Sequence, residues 1–141
     1  MKKIAIVYWS GTGNTETMAN AVLEGVQAAG AEGTLLTAAA FSSARMDEFD
    51  GFAFGCPAMG AESLEEDEFA PMFEACEPAL TGKRLALFGS YGWGDGEWMR
   101  DWEETCKSRG AELICESVIC SEAPGDKVLD ACRQLGSALA R

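Results

Sequence analysis

The chain has 141 residues, enough for a single domain over residues 1–141, and 48% of them are hydrophobic, so a core can form without disulfides or metal. Its 23 acidic residues against 11 basic ones leave a formal net charge of -12. That field repels phosphate backbones and anionic lipid, which argues against nucleic acid and membrane partners and favours basic protein partners.

Histidine is absent. The chain therefore lacks the commonest general base near neutral pH, the usual activator of a Ser or Cys nucleophile, and half of any mixed zinc site. Hydrolytic chemistry and a metal centre lose their support. The six cysteines, Cys56, Cys76, Cys106, Cys115, Cys120 and Cys132, include no CxxC pair. No apolar run has the length of a signal core or a membrane span, so the expectation is a cytoplasmic, monomeric protein with reduced, mostly buried thiols.

In chain order, Lys3 to Trp9 (KIAIVYW) is a nearly unbroken apolar run that predicts a strand buried on both faces. Glu16 to Ala29 carries Met18, Ala21, Val22 and Val26 at helical spacing, and Gly30 ends that helix. Thr34 to Ala38 predicts a weak second strand, and FAFG before Cys56-Pro57 a third. Residues 61–70 are acidic and irregular, with a helix expected over Glu68 to Cys76 and Pro71 tolerable in its first turn. Leu85 to Gly89 predicts a fourth strand, Glu97 to Ser108 a helix, Leu113 to Cys120 a fifth strand, and Asp126 to Ala140 a last helix. Five alternations of strand and helix predict an α/β fold, a five-stranded parallel sheet with helices on both faces. Ligands of such sheets bind beyond the carboxyl ends of the strands, so three loops there carry the functional argument.

The first loop is Ser10-Gly11-Thr12-Gly13-Asn14-Thr15. Its glycines let backbone N–H groups approach an anion, four side chains add donors, and the next helix contributes its positive end. A triphosphate-binding P-loop would need Gly-Lys-Ser/Thr, and no lysine lies between Lys3 and Lys83. A dinucleotide fingerprint would need a third glycine where Glu16 stands. The pattern is a phosphate site built from neutral donors; an ordinary capped turn is the alternative.

The second loop, Cys56-Pro57-Ala58-Met59-Gly60-Ala61-Glu62, offers a polarisable thioether, a permissive peptide and a carboxylate acceptor. In the third, Gly89-Ser90-Tyr91-Gly92-Trp93-Gly94-Asp95-Gly96, Trp93 sits between glycines and needs a flat partner to cover it. Trp98 and Trp102 fall on the core side of a helix, and Trp9 is open to either reading.

SGTGNT, CPAMGAE and GSYGWGDGEW, at these positions in a chain of five α/β units, resemble a short-chain flavodoxin of the type found in anaerobic bacteria. The resemblance implies a three-layer flavodoxin-like sandwich of strand order 2-1-3-4-5 that binds FMN without a covalent link. The fifth strand runs into Pro124 without the insertion of long-chain members. The phosphate would sit at Ser10, Gly11, Thr12, Gly13, Asn14 and Thr15, and the isoalloxazine between Met59 and Trp93. Glu62 would accept from the flavin N3–H, backbone groups from Gly89 through Ser90, Tyr91 and Gly92 to Trp93 would line the pyrimidine end, and Pro57, Ala58, Gly60, Ala61 and Gly96 would complete the FMN contacts. Gly60 would supply the peptide whose carbonyl accepts from N5–H on reduction, with Ala61 small enough to let it turn.

The expected role is a low-potential one-electron carrier between semiquinone and hydroquinone, not an enzyme. Its acidic rim, taken as Glu62, Glu65, Glu66, Asp67, Glu68, Asp95 and Glu97, would receive basic patches on redox proteins. The alternative is a flavodoxin-like NAD(P)H reductase, against which the acidic loops argue. A phospho-receiver domain would need paired acids at the end of the first strand, where Trp9-Ser10-Gly11 stands.

Overall fold

The computed structural model describes all of residues 1–141. Its elements are β1 (Lys3–Tyr8), α1 (Asn14–Ala28), β2 (Glu32–Thr37), β3 (Gly51–Gly55), α2 (Phe69–Cys76), β4 (Arg84–Tyr91), α3 (Glu97–Ser108), β5 (Glu112–Leu113), β6 (Val118–Ser121) and α4 (Asp126–Ala140). Short 3-10 turns follow β2 and α2. The sheet is parallel in the order β2-β1-β3-β4-β5, with β6 also on β4.

The side-chain alternation of each central strand divides the core in two. Ala5 and Val7 of β1, Phe52 and Phe54 of β3, and Leu85 and Leu87 of β4 point to the layer under α2 and α3. Ile4, Ile6, Tyr8, Ala53, Ala86 and Phe88 point to the layer under α1 and α4. The first layer is aromatic: Phe69 and Phe73 lie nearly parallel, and the Trp102 ring stands at 85° to both. In the second, α1 and α4 touch backbone to backbone. A Cβ on Gly25 would lie 1.9 Å from the Arg133 carbonyl oxygen, and one on Gly136 would lie 2.1 Å from that of Val22.

The expected fifth strand is broken. Leu85 pairs with Leu113 but Phe88 pairs with Val118, so β4 advances three residues while its partner advances five. The extra residues leave the ladder around Cys115 and Glu116, and Ser117 donates its hydroxyl proton to Glu103 of α3 at 2.6 Å. No helix is long and apolar enough to cross a membrane.

Candidate functional site

The chain passes from β1 to β2 on one side and to β3 on the other, and the crevice at that switch point opens beside the carboxyl ends of β1, β3 and β4. A cleft of about 300 Å³ lies there, lined by Ser10, Gly11, Thr12, Asn14 and Thr15 from the first loop, Pro57, Ala58 and Met59 from the second, and Ser90, Tyr91 and Gly92 from the third. Neither lysine nor arginine lines it.

The first loop is organised by Ser10, whose Oγ accepts from the N–H groups of Gly13 (3.1 Å) and Glu16 (3.2 Å). With both lone pairs engaged, its own hydroxyl proton remains to donate outward. Gly13 begins α1 at φ 98°, a left-handed conformation that a side chain resists, and as the N-cap residue it brings no side-chain acceptor of its own to the first turn. The N–H groups of Thr12, Asn14 and Thr15 consequently find no acceptor in the protein. Together with the helix dipole they form an anion site that uses no cation. Thr15 is buried, and its hydroxyl meets Ser90 Oγ at 3.3 Å, which ties the loop to the end of β4.

The second loop closes on itself. Met59 and Ser63 exchange N–H···O bonds of 2.8 and 2.9 Å, so the turn between them is fixed at both ends. Inside it Gly60 has φ 50° and Glu62 φ 53°. A left-handed glutamate is uncommon, and here its side chain is sent inward. The Glu62 Oε1 atom is buried without a hydrogen-bond partner, and it rests on Gly94, where a Cβ would lie only 2.2 Å away. The third loop thus makes room for a carboxylate that lacks a donor.

Met59 and Trp93 are the two large apolar side chains exposed beyond the N-terminal Met1, at 37% and 66%. Trp93, Gly60, Ala61, Glu62 and Gly13 stand outside the cleft lining proper, as do Gly89 and Gly96. A Cβ on Gly89 would meet the Cys56 carbonyl oxygen at 2.2 Å, so that glycine serves the approach of β4 to the second loop. Gly96 is buried at the start of α3.

Two acidic side chains differ from the expected rim. Glu65 is buried and accepts from the N–H groups of Asp67, Glu68 and Phe69, each at 2.8 Å, so it caps α2 instead of facing solvent. Burial works to raise its pKa, but the three donors outweigh it and hold the carboxyl below its ordinary value. Asp95 turns away to Arg100, paired at 3.0 Å. Glu66, Asp67 and Glu68 remain exposed.

Two cleft residues lie outside the expected set. Trp9 lines the cleft and donates its indole N–H to Glu68 Oε1 at 2.9 Å, which joins the end of β1 to the start of α2. Glu122 lines it from beyond β6, in a left-handed conformation (φ 60°), with its N–H on the Tyr91 carbonyl at 2.7 Å. Its signal was its place just past the carboxyl end of a strand. All six cysteines are unpaired, and burial pushes the thiols of Cys56, Cys106 and Cys132 up to about 12.

The family model described as flavodoxin matches residues 6–136. The chain is 43% identical over 141 residues to a flavodoxin of Megasphaera elsdenii, with 98% of each covered, and 42% identical over 138 residues to one of Clostridium beijerinckii, covering 96% of this chain and 97% of the relative. The solution structure of the two-electron reduced Megasphaera elsdenii protein superposes with a TM-score of 0.89 at 44% identity, covering 97% of this chain and 98% of that one.

Proposed function

The chain belongs to the flavodoxin family, an FMN-binding electron-transfer protein and not an enzyme, and on that premise we propose that it is a low-potential carrier whose FMN shuttles between semiquinone and hydroquinone. The switch-point cleft is where such sheets place a ligand, flavodoxins being among the cases from which that rule is drawn. FMN supplies the one-electron chemistry; the residues hold and tune it.

One observation carries the reading: the loop at one end of the cleft leaves its N–H groups free and uses no cation, while the second loop, which also lines the cleft, carries just outside that lining a buried carboxylate oxygen without a donor. The first end suits a phosphate and the second suits a ring N–H. On this reading the N–H groups of Thr12, Asn14 and Thr15, with the Ser10 hydroxyl, bind the phosphate. Glu62 accepts from the N3–H side, while Met59 and Trp93 cover the ring faces and exclude water. Gly60, with open space around its Cα, lets its peptide turn to offer a carbonyl while the Met59–Ser63 bonds keep the turn in place. The 141 residues act as one cytoplasmic, monomeric domain. Exposed Glu66, Asp67 and Glu68 receive basic patches on the redox proteins that exchange electrons with it.

The test is FMN addition to flavin-free protein. Stoichiometric quenching of flavin fluorescence, with no oxidation of NADPH by the loaded protein alone, is expected. Absence of binding sinks the reading, and rapid NADPH oxidation replaces it with a reductase.

A further inference from the structure

The two loops proposed to flank the flavin ring touch a common side chain beneath them. Trp98, the second residue of α3, is 2% exposed and donates its indole N–H to the Cys56 carbonyl oxygen at 3.1 Å. Cys56 opens the second loop, and its own N–H is engaged by Phe88 of β4 at 3.2 Å. The same edge of the indole also lies against the third loop. Its Cζ2 comes 3.2 Å from the place a Cβ on Gly89 would occupy, and its ring centroid lies 5.5 Å from that of Tyr91, tilted at 52°. Tyr91 itself lines the cleft.

We propose that Trp98 is a positioning residue that fixes the spacing of the Met59 and Trp93 loops, and so controls FMN affinity and the separation of its two one-electron potentials. The inference rests on the FMN-carrier reading. The Cys56 carbonyl is buried, so without the indole N–H it must turn to find another donor, and the turn that carries Met59, Gly60 and Glu62 turns with it. Trp102, one helical turn further along α3, is the natural control. It is 3% exposed and fills the same layer, but its N–H has no hydrogen-bond acceptor. A phenyl ring at position 102 loses packing alone, whereas one at 98 loses packing and the hydrogen bond to the loop.

The experiment compares W98F and W102F in the full chain. Thermal stability, FMN affinity and both potentials by anaerobic redox titration are measured for each. Both variants are expected to melt below the wild type. W98F alone should weaken FMN by about three- to tenfold, the size of one net hydrogen bond, and bring the two potentials closer together. Should W98F not fold, benzothienylalanine at position 98 keeps the ring shape while replacing the N–H by sulfur, and the same shift is expected. W98F or its sulfur analogue with wild-type affinity and potentials would overturn the proposal, as would equal shifts in W102F. Wild-type protein that binds no FMN sinks the carrier reading itself, an outcome separate from these.

Discussion

At the scale of single residues, the site depends on which side chain is denied a partner. Glu62 keeps an unpartnered carboxylate oxygen because Gly94 has no Cβ to occupy its place. Gly94→Ala should push the carboxylate off its seat and weaken FMN by about tenfold, the cost of stranding one buried polar contact; unchanged affinity in an FMN titration would contradict this. Glu65 illustrates the opposite state, a buried carboxylate with three donors. Its folded pKa lies below the ordinary one, so its stabilisation is complete above the unfolded value of about 4.3 and is lost as pH falls through the folded value. Glu65→Gln should cost about 1.5–3 kcal/mol at pH 7, and the gap from wild type should close in acid, read by denaturant unfolding at pH 7 and pH 3. From the sequence, Glu65 was indistinguishable from its acidic neighbours. Its inward turn depends on Cys56, whose Sγ takes the Glu65 N–H at 3.4 Å, and that contact is tertiary.

Among the elements, α3 and α4 have the boundaries expected from spacing, since both carry clear apolar faces and start just after glycine. Helix α1 begins two residues earlier than the apolar pattern indicated, because its start is set by the conformation of Gly13 and not by a burial signal. The break between β5 and β6 had no local signature: residues 113–120 contain neither glycine nor proline, and the register change exists only against β4. The three loops were legible because small and polar residues interrupt apolar strands there, whereas Trp9 and Glu122 join the cleft through tertiary placement. Nor did any local pattern disclose how closely α1 meets α4. An alanine at position 25 would put a methyl group into the Arg133 backbone, where no rotamer change can relieve it. Gly25→Ala should therefore destabilise the fold by about 1–3 kcal/mol, while FMN affinity of the folded fraction stays near wild type; a stability within error of wild type would show that the helices separate freely.

For the molecule as a whole, the charge of -12 is the dominant physical property. A carboxylate about 12 Å from the ring opposes an added electron by ~0.3 kcal/mol in water and ~1.4 kcal/mol at an effective dielectric of 20, or roughly 15–60 mV each for a one-electron couple. Glu66, Asp67 and Glu68 are the exposed members of the rim beside α2, and Glu65 is excluded from the substitution because it caps the helix. The triple variant E66Q/D67N/E68Q should raise the second potential and reduce the salt dependence of transfer to a basic redox partner. An unchanged potential would place the control elsewhere.

The central claim is that this cleft holds FMN and stabilises its one-electron-reduced form. An anaerobic reductive titration of the FMN-loaded protein, followed by absorbance, tests it most directly. Two separated steps, with the long-wavelength absorbance of a neutral semiquinone rising and then falling, are the predicted result. Reduction in a single two-electron step, with no such absorbance at any point, would contradict the account.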